Sequence, residues 1–184
     1  MTLEKFEIDG PLLFVPRSFN DDRGSFMETF RSSVFNEAVG EEVNFVQDNQ
    51  SLSIKEGTVR GLHYQSPPRA QGKLVRCVAG SILDVAVDAR KGSNTFGQHI
   101  KAELSVSNNH QLWVPSGFLH GFLTLEPNTV VVYKCTDYFS SEHDGNVKWD
   151  DPKLAIDWGI SKSNAILSDK DINAPLFEDF DSPF

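Results

Sequence analysis

Between residues 74 and 139 the sequence consists of short strand-like segments, each separated from the next by turn residues. Glycine, serine, asparagine and proline supply these turns, at 80, 91–94, 108–109 and 127–128. Many short strands at nearly even spacing are typical of an antiparallel sandwich or barrel. The sequence therefore predicts an all-β fold built on the segments Leu74–Val78, Ser81–Asp88, His99–Ser105, Gln111–Pro115, Gly121–Leu125 and Thr129–Phe139.

Helical signals are confined to the two ends of the chain. A helix is predicted from Ser32 to Val39, with Ser33 as its N-cap and Gly40 as its C-terminal cap. From Asp150 onward, repeated prolines predict loops and a short helix packed outside the sheets. No linker, repeat or low-complexity segment interrupts the 184 residues, so we expect one domain over residues 1–184.

Charge and cysteine content narrow the function classes. Seventeen Lys and Arg against 26 Asp and Glu give a net charge of −9, which excludes a general nucleic-acid-coating role because phosphate binding needs a basic field. The two cysteines, Cys77 and Cys135, fit a reducing compartment and exclude a disulfide scaffold. The first residues lack the features of a signal peptide, and no apolar stretch is long enough to cross a bilayer. We therefore expect a soluble cytoplasmic protein that binds neither nucleic acid nor membrane.

Several predicted strands carry polar side chains on a face where a plain core would be apolar. Because alternate residues of a strand share a face, three mixed sets arise. Such mixed faces suit a ligand cavity, although half-exposed strands would show the same pattern. The sets are Val131, Tyr133, Cys135, Asp137 and Phe139; Lys73, Val75 and Cys77; and Ile82, Asp84, Ala86 and Asp88.

Two histidines stand in informative contexts. Arg60 and His63 differ in parity, so a regular strand would aim them to opposite faces, and a bulge at Gly61 would bring both inward. In the second context, the spacing Pro115-x-Gly117-x-x-His120 predicts a sharp turn with a histidine at the start of the next strand. A purely structural histidine is the competing interpretation at both positions.

The chemistry open to these residues is proton transfer. A metal site is disfavoured, because His63 lacks a His-x-His partner and no nearby Glu completes a common ligand set. Dinucleotide-binding, phosphate-loop and serine-hydrolase motifs are absent as well. Histidine can accept a proton, tyrosine can return one, and lysine can stabilise a developing oxyanion.

A series of motifs in one order closely resembles the dTDP-4-dehydrorhamnose 3,5-epimerase family, from about Pro11 to Pro175. This resemblance implies a cupin-type jelly roll, a double-stranded β-helix with a few short peripheral helices. It also implies a homodimer and no metal or organic cofactor. The motifs are Phe19-x-Asp-x-Arg-Gly-x-Phe-x-Glu28, Phe45-Val-Gln-Asp-Asn49, Arg60-Gly-Leu-His-Tyr64, Gln71-Gly-Lys-Leu-Val-Arg-Cys77, Asp84-Val-Ala-Val-Asp88, Trp113-Val-Pro-x-Gly-Phe-x-His-Gly-Phe122 and Tyr133-Lys134.

The resemblance also implies a reaction. The family converts dTDP-4-dehydro-6-deoxy-D-glucose to dTDP-4-dehydro-β-L-rhamnose, for dTDP-L-rhamnose and polysaccharide synthesis. By resemblance, His63 is the catalytic base, Tyr133 is the acid on the opposite face, and Lys73 stabilises the enolate. Asp171, which the residue patterns alone would not select, matches the family carboxylate that orients the histidine.

Substrate-binding positions follow by the same resemblance, and two of them depart from the family pattern. Phe139 stands where the family often has a tyrosine that stacks on the thymine, and Asp144 replaces a longer glutamate. The family's N-terminal segment crosses to the partner subunit, so Arg23 and Glu28 are expected to complete the neighbour's pocket. The implied binding residues are Arg23, Glu28, Gln47, Asp48, Asn49, Arg60, Lys73, His120, Phe139, Asp144 and Lys170.

Two alternatives to double epimerisation stay open at the level of sequence. A mono-epimerase that inverts only C3 or only C5 of a related dTDP-4-keto-6-deoxy sugar would keep the histidine base. A non-catalytic sugar-binding cupin would lack an acid or a base, whereas His63, Lys73 and Tyr133 are all present.

Overall fold

The computed structural model describes residues 1–184 and is dominated by short strands. Two short α-helices, α1 (Ser32–Val39) and α2 (Asp169–Ile172), and one 3₁₀ turn (Phe177–Asp179) accompany them. None of the helices is long and apolar enough to cross a membrane. The strands are β1 (Thr2–Lys5), β2 (Leu12–Val15), β3 (Ser18–Asp21), β4 (Gly24–Met27), β5 (Gln47–Ser53), β6 (Val59–Gln65), β7 (Lys73–Ala79), β8 (Ser81–Asp88), β9 (His99–Ser105), β10 (Gln111–Val114), β11 (Phe118–Thr124), β12 (Thr129–Cys135) and β13 (Asp144–Asn146).

The strands form two facing antiparallel sheets. The first has the order β1-β2-β10-β7-β12-β5, and the second has the order β13-β6-β11-β8-β9. From β5 to β8, and again from β10 to β12, consecutive strands lie in different sheets, which is the winding of a jelly roll. The predicted all-β fold of cupin type is confirmed. Strands β3 and β4 pair only with each other and form a separate hairpin.

Three apolar clusters hold the layers together. The central cluster lies between the sheets and joins residues of both, among them Val75, Leu112 and Ile82. A second cluster fixes the C-terminal segment, through residues such as Trp149, to the outer face of the second sheet. A third packs Phe35 of α1 onto the outer face of the first sheet. Each such side chain contributes about 1.5–3 kcal/mol when it is fully buried.

Most local predictions are confirmed, with three corrections. The bounds of β8, β9 and α1 agree with the sequence prediction, and Gly40 ends α1 in the left-handed conformation at φ 85°. The predicted N-cap is wrong, because the N-cap is Arg31 and no side chain caps the helix. Strand β12 ends at Cys135 rather than Phe139, and β11 begins at Phe118, so His120 lies inside its strand.

The predicted irregularity at Gly61 is confirmed. Strand β6 advances three residues, from Arg60 to His63, where its partner β11 advances two, from Phe122 to His120. Gly61 has φ +128°, and a Cβ there would lie 2.6 Å from the Cα of Gly121. Glycine is therefore required twice, once for the backbone angle and once for the close approach of the strands.

Candidate active site

A histidine–carboxylate pair joins β6 to the C-terminal segment. His63 Nε2 lies 2.6 Å from Asp171 Oδ1. Asp171 belongs to α2, whose N-cap is Ser168. The Ser168 hydroxyl donates to Asp171 Oδ2 at 2.9 Å and accepts from the Asp171 backbone N–H at 3.2 Å. Both carboxylate oxygens are thus held, so the orientation of the carboxylate is set before a ligand binds.

The electrostatics keep this carboxylate charged. Burial alone would raise the pKa of Asp171, but the hydrogen bond and charge of His63, the Ser168 hydroxyl and the nearby Lys170 outweigh burial. The pKa of Asp171 is therefore lowered from its ordinary value. An ionised carboxylate accepts from His63 Nε2–H and leaves Nδ1 of a neutral ring free to take a proton.

Lys73 and Tyr133 lie on neighbouring strands of the opposite sheet. Cys135, two residues from Tyr133 on β12, pairs directly with Lys73 on β7. Burial raises the pKa of the Tyr133 phenol, an effect opposed by Asn49 and Arg60. Burial also lowers the pKa of the Lys73 ammonium. The Tyr133 phenol is therefore held protonated. The Lys73 ammonium is poorly solvated, so a nearby negative charge would stabilise it.

A second histidine–carboxylate pair lies beside the first, on the same sheet. His120 lies directly across from His63 in the pairing of β11 with β6. Its Nε2 is 2.7 Å from Oδ1 of Asp84 on β8. Strand alternation predicts Asp84 on a mixed strand face but gives it no partner. Ser168 was missed as well, and its only signal was its place three residues before Asp171.

Further expected binding residues gather around these pairs. Arg60 donates from Nε to the Ser53 hydroxyl at 3.3 Å, which ties the guanidinium to β5. Asn49 contacts Cys135 Sγ at 3.6 Å. Lys170, beside Asp171 on α2, forms an ion pair with Asp144 on β13.

The edge of the site also carries an exposed aromatic ring. Gln47 donates to the Asn49 side chain at 3.1 Å and accepts from the backbone N–H of Phe139 at 2.9 Å. The Phe139 ring itself is solvent-exposed. The Asp137 carboxylate, on the same predicted strand face as Tyr133, accepts from Arg69 at 3.1 Å.

Three expected binding residues are not brought to the site within the chain. Arg23, at the tip of the β3–β4 hairpin, pairs only with Asp21, and its side chain is 90% exposed. Glu28 pairs with Arg31. The Asp48 carboxylate binds Lys134 on the outer face of the first sheet, because strand alternation turns it away from Asn49. The chain contains no cluster of three His, Cys, Asp or Glu side chains suited to a metal ion.

Comparison with known proteins identifies the family. A family model described as dTDP-4-dehydrorhamnose 3,5-epimerase matches residues 5–179. A curated protein of that name from Shigella flexneri is 50% identical over 181 residues, 98% of each chain. The chain belongs to the dTDP-4-dehydrorhamnose 3,5-epimerase family. It is therefore an isomerase, as the sequence motifs implied.

Solved structures of epimerases share the fold closely. The dTDP-6-deoxy-D-glucose-3,5-epimerase of Legionella pneumophila, in complex with dTDP-4-keto-L-rhamnose, is 43% identical with a TM-score of 0.93, over 98% of this chain and 94% of that one. A 3′-monoepimerase from Streptomyces bikiniensis, in complex with dTDP-quinovose, is 34% identical with a TM-score of 0.86, over 93% and 85%. The fold therefore carries both double and single epimerisation among relatives.

Proposed function

We propose that this protein inverts C3 and C5 of dTDP-4-dehydro-6-deoxy-D-glucose to form dTDP-4-dehydro-β-L-rhamnose, in dTDP-L-rhamnose synthesis. The observation that carries the proposal is the His63–Asp171 pair, 2.6 Å between the paired atoms, on the sheet that faces Tyr133 and Lys73. The product-like ligand of the Legionella relative supports the same sugar class. Higher identity to named 3,5-epimerases than to the 3′-monoepimerase favours the double reaction.

The base begins each inversion. The C4 ketone acidifies the hydrogens on C3 and C5, so the residues need only move protons and stabilise an enolate. His63 removes the carbon-bound proton through the ring nitrogen not bonded to Asp171. The electron pair of the broken C–H bond moves into the enolate, whose oxygen is stabilised by the Lys73 ammonium.

The acid completes the inversion. Tyr133 gives its hydroxyl proton to the same carbon from the opposite face, which reverses the configuration. Exchange with solvent then removes the proton gained by His63 and restores the one lost by Tyr133. A phenol with a raised pKa remains a proton donor at neutral pH, which suits this role.

The nucleotide diphosphate needs positively charged side chains in the site, although the chain as a whole is negatively charged. Arg60 and Lys170 supply positive groups within a chain of net charge −9, and the diphosphate carries the matching negative charge. The exposed ring of Phe139 offers a stacking surface for thymine without the hydroxyl of a tyrosine. Asp144 is engaged with Lys170, so we propose that it contacts substrate through that ion pair or through water.

We propose a homodimer in which the β3–β4 hairpin enters the partner's pocket. Phe26 on this hairpin is 72% exposed, and Arg23 makes no contact with its own site. A hairpin with an exposed aromatic ring and an exposed guanidinium, paired only with Asp21 of the same hairpin, is suited to burial in a second copy. Arg23 would there bind the diphosphate, and Glu28 would follow it into the same pocket.

We propose that residues 1–184 form one domain that works in the cytoplasm without a metal or organic cofactor. The free thiols of Cys77 and Cys135 suit a reducing compartment. Activity is expected to persist after exhaustive chelator treatment, with far less than one metal ion per chain by elemental analysis. A loss of activity restored by one particular metal would contradict this expectation.

Proton NMR in deuterated water tests the reaction. We expect solvent deuterium at both C3 and C5, together with the sugar of inverted configuration at both carbons. Exchange at a single carbon would instead support a mono-epimerase, the second candidate function, because the Streptomyces relative is a 3′-monoepimerase. Binding of dTDP with no exchange at either carbon would support a non-catalytic sugar-binding cupin.

The role of His63 as base is tested by His63→Ala, which is expected to lower turnover by about 10²–10⁴-fold while dTDP still binds. Turnover close to that of the wild type in a folded His63→Ala protein would remove the histidine from the role of base.

A further inference from the structure

Asp84 is buried in a way that the fold itself does not explain. The residue is 0% exposed, and the only hydrogen bond of its side chain is the one between Oδ1 and His120 Nε2. The other carboxylate oxygen, Oδ2, is buried and makes no hydrogen bond within the chain. A buried carboxylate with half of its acceptors unused costs stability, so a local structural role is a poor account of it.

Asp88, four residues along the same strand, shows what a structural carboxylate looks like here. It too is 0% exposed, but its oxygens accept from the side chains of Arg90, Ser93 and Thr95 and from the Arg90 backbone. These contacts anchor the loop after β8. Asp84 anchors no loop, and its single partner is a histidine that faces the proposed base across β6 and β11.

The hydrogen bond to Asp84 determines which ring nitrogen of His120 carries the proton. With Nε2 bonded to a carboxylate, Nε2 carries the proton in the neutral ring. Nδ1 makes no hydrogen bond within the chain, and it is then an acceptor. His120 is the register partner of His63, so both side chains occupy the same face of the second sheet, on which the reacting sugar ring would lie.

We propose that Asp84 is a positioning residue that holds His120 with its proton on Nε2, so that Nδ1 accepts a hydrogen bond from a hydroxyl of the keto-sugar. This inference rests on the proposed function. It assigns the second pair to recognition of the sugar ring, and the first pair to proton abstraction. The charge of Asp84 also helps to hold the neighbouring Lys73 protonated: burial lowers the pKa of Lys73, and Cys135, Asp144 and Asp84 oppose that effect.

The protonation state of the wild-type ring gives the first test. In ¹⁵N NMR of the whole protein without substrate, with the signals assigned by comparison with His120→Gln, we expect a protonated Nε2 and an unprotonated Nδ1. A proton on Nδ1 would overturn the proposal. This measurement needs no Asp84 variant, so it decides the matter even where such a variant does not fold.

The second test compares Asp84→Asn with Asp88→Asn. An amide at position 84 can donate to Nε2, which drives the ring proton to Nδ1 and removes the acceptor. We expect kcat/KM to fall about 10- to 100-fold in Asp84→Asn, with dTDP affinity unchanged because dTDP lacks the keto-sugar ring that His120 would contact. The His120 signals are expected to move in Asp84→Asn and to stay unchanged in folded Asp88→Asn.

Two kinetic outcomes would overturn the assignment. One is an Asp84→Asn enzyme whose kcat/KM lies within about twofold of the wild type. The other is a loss of dTDP affinity as large as the loss of kcat/KM, since that would indicate general damage to the pocket. A wild-type protein that exchanges no substrate proton would instead contradict the proposed function, and the ring protonation state would still be readable.

Discussion

At the scale of single residues, the proposed chemistry depends on which hydrogen bonds are already made inside the chain. Asp171 engages one nitrogen of His63, which leaves the other for the substrate. Ser168 holds the second oxygen of Asp171, so the carboxylate cannot rotate away without losing a bond. The Tyr133 hydroxyl is not used by Asp137, whose carboxylate binds Arg69. The base therefore keeps one ring nitrogen for a ligand, and the acid is not bound by the Asp137 carboxylate.

The role of Tyr133 as acid can be separated from the role of the base. Tyr133→Phe keeps the ring and its packing but removes the proton that the mechanism delivers from the opposite face. Washout of substrate hydrogen into deuterated water is expected to persist, because His63 and Lys73 are intact, while most net inversion is lost. Both quantities come from one proton NMR time course.

A matched comparison for this experiment is Tyr138→Phe, which removes the hydroxyl of an exposed tyrosine close in sequence and is expected to leave product formation unchanged. Normal product formation by Tyr133→Phe would show that the hydroxyl is only structural, with a hydrogen bond that contributes about 1 kcal/mol to stability. Loss of both exchange and product would place the tyrosine before the acid step.

At the scale of elements, the site depends on one irregular strand pair. The bulge in β6 brings Arg60 and His63 to the same side of the sheet, although their spacing would separate them on a regular strand. The strand can bulge there because Gly61 and Gly121 approach each other without side chains. The β6–β11 pair therefore sets both the position of the base and that of His120 opposite it.

Gly61→Ala is expected to destabilise the protein by more than about 2 kcal/mol, because the added Cβ would lie 2.6 Å from Gly121 Cα at a φ that favours glycine. Urea unfolding measures the loss. Gly24→Ala is the matched control, since Gly24 has φ +127° but no atom within 4 Å of an added Cβ. Equal losses in the two variants would show that the close approach of the strands contributes nothing.

At the scale of the whole molecule, charge is distributed unevenly between the surface and the site. The exposed Arg23 lies on a hairpin that makes no contact with the site of its own chain. The buried carboxylates of Asp84, Asp88 and Asp171, in contrast, are each paired with an arginine or a histidine. The first arrangement concerns assembly, and the second concerns the response of the fold to pH.

Mixed dimers test whether two chains build each pocket. Chains carrying Arg23→Ala and chains carrying His63→Ala are each expected to be nearly inactive as homodimers. A dimer of one of each has one intact pocket if the hairpin crosses to the partner, so activity is expected to return. Purification through two different tags and an epimerisation assay measure this.

The control mixes His63→Ala with Tyr133→Phe, whose altered residues both lie in the body of the same chain. No pocket is intact in that mixture, so no activity is expected to return. Failure of the first mixture to exceed its parent variants, with mixed dimers shown to form, would indicate pockets built within one chain.

Acid stability is expected to depend on Asp88. Burial alone would raise the pKa of Asp88, but hydrogen bonds from Arg90, Ser93 and Thr95 lower it far below the ordinary value. The unfolded chain then takes up this proton first as pH falls below about 4, so the stabilisation is present above that pH and is lost below it.

Asp88→Asn is expected to cost about 2 kcal/mol at neutral pH, with the difference from the wild type shrinking toward about pH 3. Urea unfolding at several pH values gives this difference. A difference that stays constant across the range would mean that the charge of Asp88 contributes nothing to stability.

Sequence alone determined the features that depend on neighbours along the chain. Period-two alternation and turn residues predicted β8 and β9 to the residue, and Gly40 marked the end of α1 because only glycine takes a left-handed angle at low cost. The motifs around His63, Lys73 and Tyr133 identified the family. The different parity of Arg60 and His63, with a glycine between them, indicated that a bulge at Gly61 could bring both inward.

Tertiary structure decided the features that join distant segments. Asp171 lies 108 residues from His63 in sequence, and Asp84 lies 36 residues from His120, so no local pattern could pair them. Only the family resemblance indicated Asp171, and nothing in the sequence indicated the partner of Asp84. The outward direction of Asp48 and the exposure of Arg23 also follow from how strands pair and where a hairpin projects. Local periodicity determines which face of a strand a residue occupies, whereas the packing of two sheets and a C-terminal segment determines what that face meets.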